Sequence, residues 1–248
     1  MSIDDDSDLE GLRAAGCAVR AALDAMREAV APGVTTAALD AVAARVMRAH
    51  GARSAPQLVY RFPGVSCISV NDELVHGIPS ETRRLAEGDL VKLDVTFEKD
   101  GFMADAAITV PVGRVSPRAL ALAACAERAF TLALREVRPG RRVRDIGIAI
   151  SREVRREGFS VVPVLQGHGI GRTIHEEPMV PNWDDPAAKG VLTEGLVITV
   201  EPIITMGDGD AYEDEDGWTI RTVDGALAAH HEHTLVVTRH GPLLVTAA

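Results

Sequence analysis

Two distant windows of this sequence repeat at one spacing. Val30-Ala-Pro-Gly33, a helix-like stretch, Gly51 and Pro56 are echoed by Val137-Arg-Pro-Gly140, a second helix-like stretch, Gly158 and Pro163. The offset is 137 − 30 = 107 residues. The same offset sets Leu85-Ala-Glu-Gly-Asp-Leu-Val-Lys-Leu-Asp94 over Leu192-Thr-Glu-Gly-Leu-Val-Ile-Thr-Val-Glu201. One offset serving separate windows predicts two halves of like structure, about residues 9–110 and 117–240, inside a single domain spanning 9–248. It also puts Asp94 and Glu201 at matching strand ends, where related halves would set them face to face.

Each half reads as helices followed by strands. Leu9 to Ala31 is Ala-rich with apolar residues at helical spacing, and Pro32-Gly33 stops it. Thr35-Thr36 can cap a second helix running to about His50. Pro117–Val137 and Val143–Glu157 fit two more, and strand-like runs lie at Cys67–Val70 and Leu90–Phe97. Residues 1–8 form an acidic N-terminal tail with Asp4, Asp5, Asp6 and Asp8, and no basic stretch followed by an apolar run marks a leader. No apolar run approaches the ~18 residues of a membrane span. Cys17, Cys67 and Cys125 are odd in number and widely spaced, as expected of reduced thiols in a cytoplasmic protein. The formal charge of −10 argues against nucleic acid as a specific partner.

The sharpest local pattern runs from Leu90 to Val110. Alternation sends Val91, Leu93, Val95 and Phe97 to one face and Lys92, Asp94, Thr96 and Glu98 to the other. Asp100-Gly101 is a favoured two-residue hairpin turn. With that turn, opposed residues sum to 201, so Thr96 faces Asp105 and Asp94 faces Ala107. Asp94 and Asp105 then become diagonal neighbours ~7–8 Å apart or less. Two such carboxylates repel unless a cation sits between them. Ala104, Ala106 and Ala107 are small and uncharged, unlike a solvated edge.

Other candidates are weaker alone. His168 stands between glycines in Gln166-Gly-His-Gly-Ile-Gly171, where backbone can approach a ligand closely. Glu201 ends the apolar run Gly195–Val200, an expensive place for a charge without a partner. Glu232 opens the apolar strand of Leu235-Val-Val237. Its neighbours His230, His231 and His233 read as a surface cluster with no catalytic role. The acidic stretch from Asp208 to Gly217 reads as a solvated hairpin tip, since Glu213 stands where a calcium loop wants glycine.

Taken together and in order, Leu74-Val-His-Gly-Ile-Pro79, Leu93-Asp-Val-Thr96 with Ala104-Asp105, Gly167-His-Gly-Ile-Gly171 with His175-Glu-Glu-Pro178, Val200-Glu-Pro202, Asp216-Gly-Trp218 and Glu232-His-Thr234 resemble the type I methionine aminopeptidases. The resemblance runs from about residue 9 to 238. It implies an α/β (α+β) "pita-bread" fold, with two pseudo-symmetric halves of antiparallel strands covered by helices and a metal site between them. It implies five ligands to two divalent ions: Asp94, Asp105, His168, Glu201 and Glu232. Asp105 and Glu232 would bridge, Asp94 would complete one position, and His168 with Glu201 the other. Four carboxylates and one imidazole suit manganese, iron(II) or cobalt, with zinc also allowed. Such an ion pair activates water and polarises a carbonyl. Glu201 would carry the proton from water to leaving amine. His76 and His175 match the family's two non-ligand histidines, one at the scissile amide and one at the oxyanion.

The implied methionine pocket is lined by Tyr60, Phe62, Cys67 and Trp218, beside the two histidines. Phe62 stands where tyrosine is common, Gln57 near a usual cysteine, and Ile174 where an aromatic is frequent. The implied activity is removal of the first methionine from nascent polypeptides, with a small second residue preferred. The implied setting is a cytoplasmic monomer, with the ribosome as candidate partner and no membrane. A proline-specific or broad aminopeptidase of the same fold is the nearest alternative, though those proline-specific relatives usually carry a large extra N-terminal domain. A catalytically inactive binding protein on the same scaffold is the other.

Overall fold

A computed structural model describes residues 1–247. The first half contains α1 (Asp6–Ala29), α2 (Thr36–Ala49), β1 (Arg53–Ser54), α3 (Ala55–Tyr60), β2 (Cys67–Val70), β3 (Glu73–Val75), β4 (Leu90–Lys99) and β5 (Phe102–Pro111). The second contains α4 (Pro117–Ala133), α5 (Val143–Arg156), β6 (Ser160–Val161), β7 (Gly167–Gly169), β8 (Glu176–Val180) and β9 (Val197–Val200). It continues through β10 (Ile203–Thr205), β11 (Ala211–Glu213), β12 (Ile220–Thr222), β13 (Ala228–His230), β14 (Glu232–Val236) and β15 (Leu243–Leu244).

Helix ends follow local chemistry. The Asp5 carboxylate accepts from the backbone N–H groups of Ser7 and Asp8, so α1 starts before the Leu9 expected from apolar spacing. Thr35 caps α2 by accepting from Ala38 N–H, as its position predicts. The helix expected over Pro117–Val137 is α-helical only to Ala133 and tightens to a 3-10 turn over Leu134–Glu136. Such tightening is common where a helix runs out of carbonyl partners.

The principal sheet runs β1-β4-β5-β14-β9-β7-β8, with β2 also pairing β4 and β15 pairing β14. The join between β5 and β14 is the join between halves. The offset of 107 reappears as backbone geometry. Gly33 N–H donates to Leu85 O at 2.7 Å, and Gly140 N–H donates to Leu192 O at 2.9 Å. Thr35 bridges Arg84, and Arg142 bridges Val191. Gly33 and Gly140 both have φ of 87°, a left-handed turn conformation that only glycine adopts readily. The repeat is therefore structural, and the two halves are pseudo-symmetric.

Each half covers its part of the sheet with its own helix pair. In the first, Leu12, Val19, Met26 and Leu39 pack on Leu93, Val95 and Phe97. In the second, Leu122, Phe130, Ile146 and Ile150 pack on Ile198, Val200 and Leu235. Residues 1–5 lie along the second half: Ile3 N–H donates to Gly195 O at 2.8 Å, Val197 N–H donates to Met1 O at 2.9 Å, and the terminal amine pairs with Glu176. The Asp208–Gly217 stretch forms, with β11 and β12, the hairpin expected of it. Among the described residues no helix is long and apolar enough to cross a membrane.

Candidate metal centre

Strand register gathers the acidic residues. In the β4–β5 hairpin Thr96 pairs with Asp105 and Asp94 with Ala107, as the Asp100-Gly101 turn requires. On the next strand Glu232 pairs with Ala107. One row therefore runs Asp94, Ala107, Glu232 across three strands, and the alanine leaves open space between two carboxylates. Glu201 follows directly on β9, whose Val200 pairs with His233. Asp105 lies two residues along β5 from Ala107, on the same face.

His168 reaches the cluster from β7. Its backbone N–H donates to Thr199 Oγ1 at 3.0 Å, and that hydroxyl donates to Glu201 Oε1 at 2.7 Å. The His168 ring donates from Nδ1 to Gly169 O at 2.8 Å, because a carbonyl can only accept. The Nε2 lone pair is left facing Glu201 Oε1 at 3.6 Å. A lone pair and a carboxylate oxygen so placed repel unless a proton or a metal ion sits between them. The glycines beside His168 serve a different purpose from the one expected. A Cβ on Gly169 would lie 2.3 Å from Glu177 O, and one on Gly167 would lie 2.7 Å from Thr199 O. They let neighbouring strands close around the histidine, rather than admit a ligand.

The electrostatics are those of a cluster of buried carboxyl groups. Asp105, Glu201 and Glu232 are buried, and Asp94 is half-buried. Burial pushes the carboxyls of Asp94, Glu201 and Glu232 well above the usual range, and the charge of Asp105 adds to each. Burial raises Asp105 from 3.8 to about 6. Burial pulls His168 down to about 3, so its ring is neutral. Asp105 Oδ1 and Glu232 Oε1 have no hydrogen-bond partner among the described residues. Buried carboxylates in this state are stabilised by a divalent ion, which satisfies the orphan oxygens and cancels the repulsion. The donor set thus fits divalent metal. Asp105, His168 and Glu232 offer donor atoms within 4.8 Å of one another.

Two cavities meet at this cluster. One, about 250 Å³, is lined by Tyr60, Phe62, Cys67, Ile174 and Trp218, with Asp94 and Asp105 at its floor. Phe62 and Trp218 meet edge to face with centroids 5.2 Å apart. Burial, with the nearby carboxylates, holds the Cys67 thiol well above its usual pKa, so it is an apolar wall and not a nucleophile. The other, about 230 Å³, is lined by Leu165, Gln166, His168, Met179, Glu201 and Glu232, among others. His76 and His175 line both. Tyr60 Oη lies 2.5 Å from His175 Nδ1, and the His175 ring centroid is 4.2 Å from that of His168. His76 is pulled to about 4 by desolvation and by His175. Gln57 is exposed, while Pro56 lines the first cavity.

All eleven side chains expected at the site are therefore brought to these two cavities or to the carboxylates between them. The histidine cluster departs from its surface reading. His230 and His233 are buried and His231 is half-buried, because β14 lies inside the principal sheet between β5 and β9, and β13 pairs with β10 while His230 is tied to Thr109 of β5. Thr199 and Asn182 were not anticipated. Asn182 Nδ2 donates to Glu201 O at 2.9 Å and to Leu165 O at 3.2 Å, fixing the turn that presents Glu201. Thr199 was legible, standing two residues before Glu201 and so on the same strand face.

Comparison with known proteins agrees with this geometry. The chain matches metallopeptidase family M24 over residues 10–239. It is 42% identical over 247 residues to methionine aminopeptidase 2 of Bacillus subtilis, covering 99% of each chain. The crystal structure of a methionine aminopeptidase from Thermotoga maritima superposes with a TM-score of 0.97 at 34% identity, over 100% of both chains. A prolidase from Pyrococcus furiosus superposes with a TM-score of 0.80 at 21% identity, over 99% of this chain and 65% of that one. That last likeness speaks to fold alone.

Proposed function

Starting from the fact that the chain belongs to metallopeptidase family M24, and within it to the methionine aminopeptidases, we propose that Asp94, Asp105, His168, Glu201 and Glu232 hold two divalent ions at the site where the first methionine of a nascent polypeptide is hydrolysed off. The observation that carries this reading is the convergence of four carboxylates, two of them with orphan buried oxygens, on the bare Nε2 of His168. Asp105 on β5 and Glu232 on the adjacent β14 would serve both ions. Manganese, iron(II), cobalt and zinc all suit such donors. When bound, the ions supply Lewis acidity toward the scissile carbonyl and lower the pKa of water.

The chain's own groups supply the rest. Glu201, steadied by the Thr199 hydroxyl, is placed to take a proton from the attacking water and pass it to the leaving amine. Tyr60 Oη and His175 Nδ1 share a hydrogen bond; in the tautomer in which Nδ1 accepts it, the ring proton is on Nε2 and can be donated to charge developing on the carbonyl oxygen. His76, which lines the same two cavities, would contact the scissile amide. The methionine side chain fills the cavity walled by Tyr60, Phe62, Cys67, Ile174 and Trp218, which offers apolar contact and no charge partner for a lysine or aspartate. The second residue would sit where the two cavities meet beside His76 and His175, and the family likeness favours a small side chain there. The same reading has the protein act as a cytoplasmic monomer on chains emerging from the ribosome.

A tripeptide panel tests the assignment. Met-Ala-Ser is expected to be cleaved well, and Lys-Ala-Ser and Met-Trp-Ser poorly. Equal rates on all three would replace this reading with a broad aminopeptidase.

A further inference from the structure

His230 takes no part in the reaction outlined above, yet its ring points into the carboxylate cluster. Its Nε2 lies 3.3 Å from Glu232 Oε2 and 4.0 Å from Glu201 Oε2. The residue is 2% exposed, and neither ring nitrogen has a hydrogen-bond partner among the described residues. The ring is not there by accident of a loose loop. His230 N–H donates to Thr109 Oγ1 at 2.8 Å, Thr109 Oγ1 donates to His230 O at 2.8 Å, and His230 pairs with Ile203 across β13 and β10. The backbone is thus clamped on both sides, and the imidazole is aimed by the fold.

We propose that His230 is a sixth protein ligand of the metal centre, holding a divalent ion through Nε2 together with Glu201 and Glu232. This inference rests on the reading of the centre as a metal site. The donor atoms of the three residues lie within 4.8 Å of one another. Metal–nitrogen and metal–oxygen bonds of ~2.1 Å put two ligands of one ion ~3.0 Å apart at a right angle, ~3.4 Å apart at a tetrahedral angle and ~4.2 Å apart when trans. The observed 3.3 and 4.0 Å fall inside that window without rearrangement. Glu201 then lies between two imidazoles, with Oε1 toward His168 and Oε2 toward His230. A second nitrogen donor shifts the preference of the centre away from manganese and toward cobalt and zinc.

X-ray absorption on the full-length protein and two single variants tests this. The full-length chain is stripped with chelator, loaded with cobalt(II) or zinc, and its imidazole ligands counted per chain. Two are expected, with one remaining in His168→Ala and one in His230→Gln. His230→Gln, which keeps a polar side chain of similar reach, is also expected to weaken one ion by ~10–100-fold in competition titrations. A single imidazole in the wild type that vanishes in His168→Ala would overturn the proposal and leave the metal centre standing. So would unchanged ion number and affinity in His230→Gln. A wild type that binds no ion would overturn both readings.

Discussion

Replacing Asp105 with asparagine is expected to stabilise the metal-free protein while destroying its metal binding. Asp105 is 7% exposed, and burial holds its carboxyl at about 6 instead of 3.8. A displacement of that size corresponds to about 3 kcal/mol, at ~1.36 kcal/mol per tenfold in proton affinity. Its sign follows from which state ionises first. As pH rises, the unfolded chain loses this proton near pH ~4 and the folded chain only near 6, so folding stability present at low pH is lost as pH climbs through about 6. Asparagine does not ionise and escapes that loss. Its amide brings donors that must find partners, an offset of ~1 kcal/mol or more. The net gain for the stripped protein at pH ~7.5 is roughly 1–2 kcal/mol, or ~2–4 °C in Tm per kcal/mol for a chain of this size. Near pH ~4 the ionisation loss disappears, and the variant should fall ~1 kcal/mol or more below wild type, because the amide donors still need partners. Calorimetry of chelator-treated samples at both pH values measures this, and added metal should raise the wild type alone. A stripped variant less stable than wild type at the higher pH, or a gain that persists at the lower one, would refute the picture of carboxylates awaiting a cation.

Three further outcomes are expected. His175→Ala and His76→Ala should keep wild-type metal content and lose turnover ~100–1,000-fold, the worth of a donor aimed at the oxyanion; normal turnover in both would remove these roles. Norleucine in the first position should be cleaved appreciably and leucine slowly, since apolar discrimination is limited to ~1–3 kcal/mol per methylene; steady-state kinetics on a tripeptide series reads this directly, and equal rates would contradict the pocket. Gly169→Ala should lower stability by ~1–3 kcal/mol and weaken metal binding, because its Cβ would lie 2.3 Å from Glu177 O and push β7 off β8; denaturant titration with an unchanged midpoint would show that the close approach is not needed.

The parts legible in sequence were those set by local or repeated chemistry. The β4–β5 register follows from alternation and a two-residue turn, in which Asp100 and Gly101 both take positive φ. The two-fold relation was readable because turn glycines and carboxylate-ended strands recur at one offset. The fold and the methionine aminopeptidase likeness came from motifs strung along almost the whole chain. What stayed hidden depends on strands distant in sequence. Nothing local says that His230 is buried, because its burial comes from pairing with Ile203 and from the clamp of Thr109. The glycines around His168 look like a ligand-binding loop until the carbonyls of Thr199 and Glu177 are seen to occupy the space a side chain would need. Asn182 is an unremarkable loop residue until it is found holding Glu201 O.

The account stands on the claim that the carboxylate cluster holds catalytic metal. The most direct measurement follows Met-Ala-Ser cleavage as the chelator-stripped protein is reloaded with manganese, cobalt, iron(II) or zinc, with ions per chain counted alongside. Activity lost on stripping and regained as metal fills the site, reaching its plateau at two ions per chain, is the predicted result. Full turnover by protein shown to contain no metal would contradict it.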